Sequence, residues 1–104
     1  MHATIRRYEG VDRDRAVELS KRVSESLVPK LSKLPGFAGY YLIEGENGVM
    51  SSLGLFDNVE QADESTRIAA TWIRDEHLEA VFPNPPKITS GKVVAREKAA
   101  AVVA

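Results

Sequence analysis

The run Leu34-Pro35-Gly36-Phe37-Ala38-Gly39-Tyr40-Tyr41-Leu42-Ile43 closes one structural pattern and opens another. Pro35 and Gly36 end the helical periodicity before them, and the aromatic and β-branched residues that follow suit a strand. A second junction of this kind, Asn84-Pro85-Pro86 before Ile88 to Val94, lies near the other end. Between the two, Gly45-Glu46-Asn47-Gly48 separates strand-like segments at Phe37 to Glu44 and Val49 to Phe56, and Asn47-Gly48 is a strong hairpin signal. This punctuation predicts the order β-α-β-β-α-β.

Working outward, His2 to Tyr8 reads as a short first strand ended by Gly10, and Asp12 as the cap of a helix. Apolar positions then fall at Val17, Val23, Leu27, Leu31 and Leu34, widened by Ala16 and Leu19, a stripe that marks a buried face. Pro29 inside the run predicts a kink or a tightened turn. Asp14, Arg15, Glu18, Lys21, Arg22 and Glu25 alternate in sign on the other face and read as solvated. A second helix opens at Asp57 or Asn58, with Glu60 or Gln61 three residues on as a capping box. Its stripe runs Val59, Ala62, Thr66, Ala69, Ala70, Ile73, His77 and Ala80, with Ile68 and Trp72 to one side, facing the core edge or a partner chain. Phe82-Pro83-Asn84-Pro85-Pro86 predicts a stiff connector, and Lys87 to Glu97 the last strand. Residues 1–97 thus read as one domain, and 98–104 as a tail that frays or lies across a dimer.

Both central strands are apolar at even and at odd positions: Tyr41, Ile43, Leu53 and Leu55 on one side, Tyr40, Leu42, Met50 and Phe56 on the other. A sheet half exposed to water would alternate apolar with polar. The second face therefore needs a cover, and the simplest is the same face of another copy, which predicts a homodimer. The net charge of −1 offers no field for nucleic acid or an anionic membrane surface. The absence of cysteine excludes disulfides, thiolate catalysis and cysteine metal sites. No apolar run approaches the roughly 20 residues of a membrane span, and the N-terminus lacks a signal-peptide core, so a cytoplasmic protein is expected.

The segment Leu34-Pro35-Gly36-Phe37-x-Gly39-Tyr40-Tyr41, in a β-α-β-β-α-β chain of this length, resembles the antibiotic biosynthesis monooxygenase-like group of the dimeric α/β-barrel superfamily. The likeness extends from Ala3 to about Ala95. It implies an α+β ferredoxin-like fold: a four-stranded antiparallel sheet, two helices on one face, and the sheets of two subunits set face to face as a barrel. It also implies a range of activities, from cofactor-independent quinone-forming oxygenases to haem-degrading enzymes and members with no known activity. The haem-degrading branch carries an asparagine on its first strand. Here that strand is His2-Ala3-Thr4-Ile5-Arg6-Arg7-Tyr8, without asparagine, and Trp72 and His77 stand closer together than in that branch. No cofactor is expected. Nor is a metal, since His77 has no second ligand one helical turn away.

The remaining candidates converge on a pocket between helices and sheet. His77, interrupting the stripe one turn after Ile73, is the expected base, with a core-edge histidine bound to a strand carbonyl as the structural alternative. Arg6 and Arg7 point to opposite faces, so one points inward and needs a partner, either Glu44 or an anionic group of a ligand. Tyr40 and Tyr41 also diverge, one toward a ligand and one toward the dimer seam, with packing alone as the structural alternative for both. Ser52 and Trp72 complete the pocket lining, Ser51 and Ser52 serving as small fillers rather than nucleophiles. Two functions fit these residues: oxidation of a small aromatic or polyketide-like substrate without a cofactor, or non-catalytic ligand binding by a dimeric, stress-associated barrel.

Overall fold

The computed structural model describes residues 1–97; the expected tail at 98–104 lies outside them. In chain order come β1 (His2–Tyr8), a 3-10 turn (Arg13–Arg15), α1 (Ala16–Arg22), a π turn (Val23–Leu27), α2 (Val28–Ser32), β2 (Phe37–Glu44), β3 (Met50–Phe56), α3 (Val59–Asp75) and β4 (Lys87–Lys92). The sheet order is β2-β3-β1-β4 with every neighbour antiparallel, and the helices cover one face. This is the ferredoxin-like α+β arrangement.

The first helical rod buries Ala16, Leu19, Val23, Leu27 and Leu31, successive residues three or four apart. Val17, expected on that stripe, is 84% exposed. A face led by Ala16 and Leu19 continues in phase into Val23, whereas one led by Val17 would turn Leu19 to water. Pro29 does not tighten the rod; the turn before it widens, and the Val28 amide reaches back five residues to the Val23 carbonyl. Proline has no amide hydrogen and its ring crowds the carbonyl four residues earlier, and a wide turn relieves both. Arg22, expected on the solvated face, is half-buried and paired with Glu76 at 2.7 Å.

Asn58 caps α3 by accepting from the Gln61 amide. The buried line of α3 is Ala62, Ser65, Ala69 and Trp72. It is rotated from the expected stripe, leaving Val59, Ala70, His77 and Ala80 exposed. Burying an indole removes far more apolar surface from water than burying a valine and an alanine, and this decides the phase.

The hairpin between β2 and β3 closes as a type I′ turn, with Asn47 and Gly48 at φ of 57° and 74° and the Val49 amide donating to the Glu46 carbonyl. Gly48 has a second role: a Cβ there would come within 2.9 Å of the Val11 carbonyl oxygen. A register shift between Phe37 and Gly39 places Phe37 opposite Phe56 on the helix side, against the simple parity that grouped it with Tyr41. The last strand stops at Lys92, opposite His2, short of the expected Glu97, with one further backbone bond from the Val93 amide to the Met1 carbonyl.

On the uncovered face stand Ile5, Tyr41 and Ile43, 39%, 60% and 54% exposed, around the partly buried Leu53 and Leu55. The described chain is a slab of 39 × 35 × 23 Å with a radius of gyration of 14.3 Å. A globule of this length would have about 13 Å.

Candidate functional site

Register alone assembles the floor of a cleft. Arg6 and Ile88 stand side by side on the helix side of the sheet, in a row that continues through Ser52 and Leu42 beyond the cleft, and Tyr8 lies on the same face one step along β1. α3 crosses above with Thr66, Ala70 and Ile73, and the connector from Phe82 to Pro86 closes the far wall. The enclosed space is about 460 Å³, open on one side, with mostly apolar walls. Two contacts fix the connector: the Phe82 ring packs on Tyr8 at 4.6 Å between centroids, and the Asn84 side chain donates to the Glu9 carbonyl. Its prolines add stiffness.

Arg6 is 2% exposed. One terminal nitrogen donates to the Thr66 hydroxyl at 3.3 Å, and Nε has no partner. The ion pairs among the described residues do not include it. Glu44, the expected structural partner, is exposed at the far end of β2, in the row of Tyr8 rather than that of Arg6. The cleft floor thus holds a buried guanidinium with no carboxylate beside it.

Two phenols flank this cation. Burial pushes the ionisation of Tyr8 and of Tyr40 above the ordinary tyrosine range, and the Arg6 charge pulls against it in both. Both rings therefore stay protonated at neutral pH and present neutral hydroxyls beside Arg6. Tyr40 and Arg6 lie two strands apart, with Ser52 and Gly54 on the intervening β3, residues too small to screen one from the other. The Ser52 hydroxyl is buried beside the Tyr40 phenol.

The other expected site residues lie elsewhere. His77 is exposed at the end of α3 with φ of 56°, where its amide donates to the Arg74 carbonyl and that of Leu78 to the Ile73 carbonyl. This is the helix-ending Schellman arrangement, which turns the residue after the helix outward. His77 therefore neither lines the cleft nor bonds a strand carbonyl at the core edge. Trp72 is buried in the core, its indole nitrogen donating to the Ser26 hydroxyl at 2.9 Å, on the other side of α3 from the cleft. Tyr41 and Arg7 point to the uncovered face of the sheet. Of the expected residues, Arg6, Tyr40 and Ser52 share the helix side, with Arg6 on the cleft floor.

Tyr8, Thr66, Phe82 and the connector prolines line the cleft without having been expected there. Tyr8 shares the parity of Arg6 on β1, and Thr66 is one of two polar members of the expected second-helix stripe, so both were within reach of a pattern reading. The connector's fold back over β1 has no local signal. Among the described residues no cluster of three metal-ligating side chains occurs, and no helix is long and apolar enough to cross a membrane.

No family model matches the sequence, and no curated protein matches it. Solved structures do match. A MhuD variant holding two manganese protoporphyrin IX molecules per active site superposes with a TM-score of 0.73 and 19% identity, over 95% of this chain and 100% of that one. The ActVA-Orf6 monooxygenase of Streptomyces coelicolor, in complex with nanaomycin D, gives 0.71 and 12%, over 95% and 92%. A dimeric ferredoxin-like protein from an uncultured marine organism gives 0.63 and 16%, over 94% and 97%. Further matches include an antibiotic biosynthesis monooxygenase and a protein of unknown function. The chain has the fold of the antibiotic biosynthesis monooxygenase-like proteins, as its sequence led one to expect.

Proposed function

We propose that this chain is a monooxygenase-like protein that binds a small aromatic or polyketide-like substrate in the Arg6 cleft and oxidises it without a resident cofactor. The observation that carries the reading is the cleft itself. Its 460 Å³ falls within the range of about 300–1,000 Å³ typical of small-molecule sites, and its few polar groups converge on one end of an apolar space. The fold shared with ActVA-Orf6 supports it. In the proposed reaction a phenol and dioxygen give a quinone and water: one oxygen atom enters the ring opposite the hydroxyl, and the other leaves as water with the two displaced hydrogens. Arg6 would favour the ionised, electron-rich phenol, and Tyr8, which lines the cleft, would donate to its oxygen.

A homodimer joined through the uncovered sheet face belongs to the same proposal. It is supported by the exposed Ile5, Tyr41 and Ile43 and by the fold shared with a dimeric ferredoxin-like protein.

A second reading, ligand binding without turnover, is favoured by one observation: neither a histidine nor a carboxylate lines the cleft among the described residues. The substrate's proton would then have to leave to solvent through the open side. Oxygen uptake against a panel of hydroxylated aromatics tests the first reading. Uptake with quinone formed in equal amount supports it, whereas saturable binding with no uptake leaves the binding protein.

A further inference from the structure

We propose that Arg6 is the counter-ion of the ligand: the cleft selects an aromatic monoanion, a ring carrying an ionised carboxyl or an ionised acidic enol, over the neutral ring of the same shape. This deepens the proposed function and rests on its reading of the cleft as a ligand site.

The inference starts from what burial demands. A guanidinium taken out of water needs an anion or a full set of hydrogen bonds. Arg6, 2% exposed, donates to the Thr66 hydroxyl and lies beside the Tyr8 and Tyr40 phenols, but its Nε has no partner and no acidic side chain pairs with it among the described residues. Thr66 does not change this balance. Its hydroxyl donates to the Ala62 carbonyl at 3.4 Å and presents only a lone pair to Arg6. The donors that remain on Arg6 form a planar fork matched to two oxygens, and they sit at the floor of an open cleft.

The surroundings favour the same occupant. Tyr8 and Tyr40, held protonated by burial, offer Arg6 neutral oxygens and cannot neutralise the cation. The walls, from Ala70 and Ile73 to Phe82 and Ile88, offer apolar contact to a flat ring and no further charge. A small inorganic anion would leave those walls wet, and a neutral ring would leave the cation uncompensated. An aromatic anion meets both needs at once.

The test is calorimetric titration of the full chain with two pairs of probes: 2-naphthoate against 2-naphthamide, and 2-hydroxy-1,4-naphthoquinone, ionised at neutral pH, against its 2-methoxy analogue. Each anion should bind at least about tenfold more tightly than its neutral counterpart, the scale of a charge-assisted bond. In Arg6→Met that preference should collapse. Binding of the anions in one pair only would identify carboxylate or enolate as the group preferred. Equal affinity within both pairs, failure of both anions to bind, or a preference that survives in Arg6→Met would overturn the proposal. Should Arg6→Met not fold, the ratios on the unchanged protein decide alone. Anion-selective binding with no oxygen uptake keeps the counter-ion site and removes the oxidation; uptake on neutral phenols without anion preference does the reverse.

Discussion

His77 carries a left-handed backbone that an L-residue adopts at a cost of roughly 1–2 kcal/mol, of which glycine would recover part, less about 0.4–1 kcal/mol for its freer unfolded chain. His77→Gly should therefore raise stability by about 0.5–1 kcal/mol in a denaturant titration and leave binding in the cleft unchanged. A loss of binding would show that the ring reaches the ligand after all. The spacing from Ile73 to His77 is that of a continuing stripe, and no glycine stands at the helix end to announce the stop. Only the pairing of Leu78 with Ile73 across that end reveals it. Arg6 was legible in part: strand parity says that one of two neighbouring arginines points inward, but which one depends on the side the helices take. Its lack of an acidic partner is a three-dimensional fact. Arg6→Met removes a buried charge that no carboxylate balances, so it should raise stability by about 1 kcal/mol or more. For a domain of this size that is an upward shift in Tm of about 4–8 °C. A fall in Tm would mean that the Thr66 bond and the flanking phenols outweigh the desolvation of the cation.

At the scale of the elements, the first helical rod tests its own phase. Leu27, 4% exposed, should cost about 2–5 kcal/mol on replacement by alanine, while Val17→Ala should stay within about 0.5 kcal/mol. Comparable losses from the two would mean that the rod packs on the other stripe. The rod is tied to the end of α3 by Arg22, which bonds the Glu76 carboxylate at 2.7 Å and its backbone carbonyl at 3.2 Å, placing a cation at a helix C-terminus. The hydrogen bond from Arg22 holds the Glu76 carboxyl below the usual carboxylate range. A carboxyl with a depressed folded pKa contributes stability that is complete at neutral pH and is lost as the pH falls from the ordinary glutamate value, about 4.3, through the folded one. Glu76→Gln should accordingly lower Tm at pH 7, and the gap should close in acid. A gap independent of pH would show that shape, not charge, makes the contact. Helical periodicity placed Arg22 with its charged neighbours because its partner lies 54 residues along the chain, beyond the reach of any local pattern.

Across the whole molecule, the element order and the uncovered apolar face were legible because each follows from counting along a strand, and counting failed only at the register shift near Ala38. If that face is a seam between copies, the protein at micromolar concentration should scatter light as twice its 11.4 kDa chain mass. Replacing Leu53 and Leu55 together by aspartate should then abolish the pair and leave monomeric or insoluble chain. A well-folded monomer before any substitution would sink the idea. The cleft, by contrast, lies wholly on the helix side of the sheet, so the seam would leave both mouths unobstructed, a full sheet thickness from the surfaces in contact. The assembly would behave as two independent receptors, saturating at one ligand per chain along a hyperbolic isotherm with a Hill coefficient near 1.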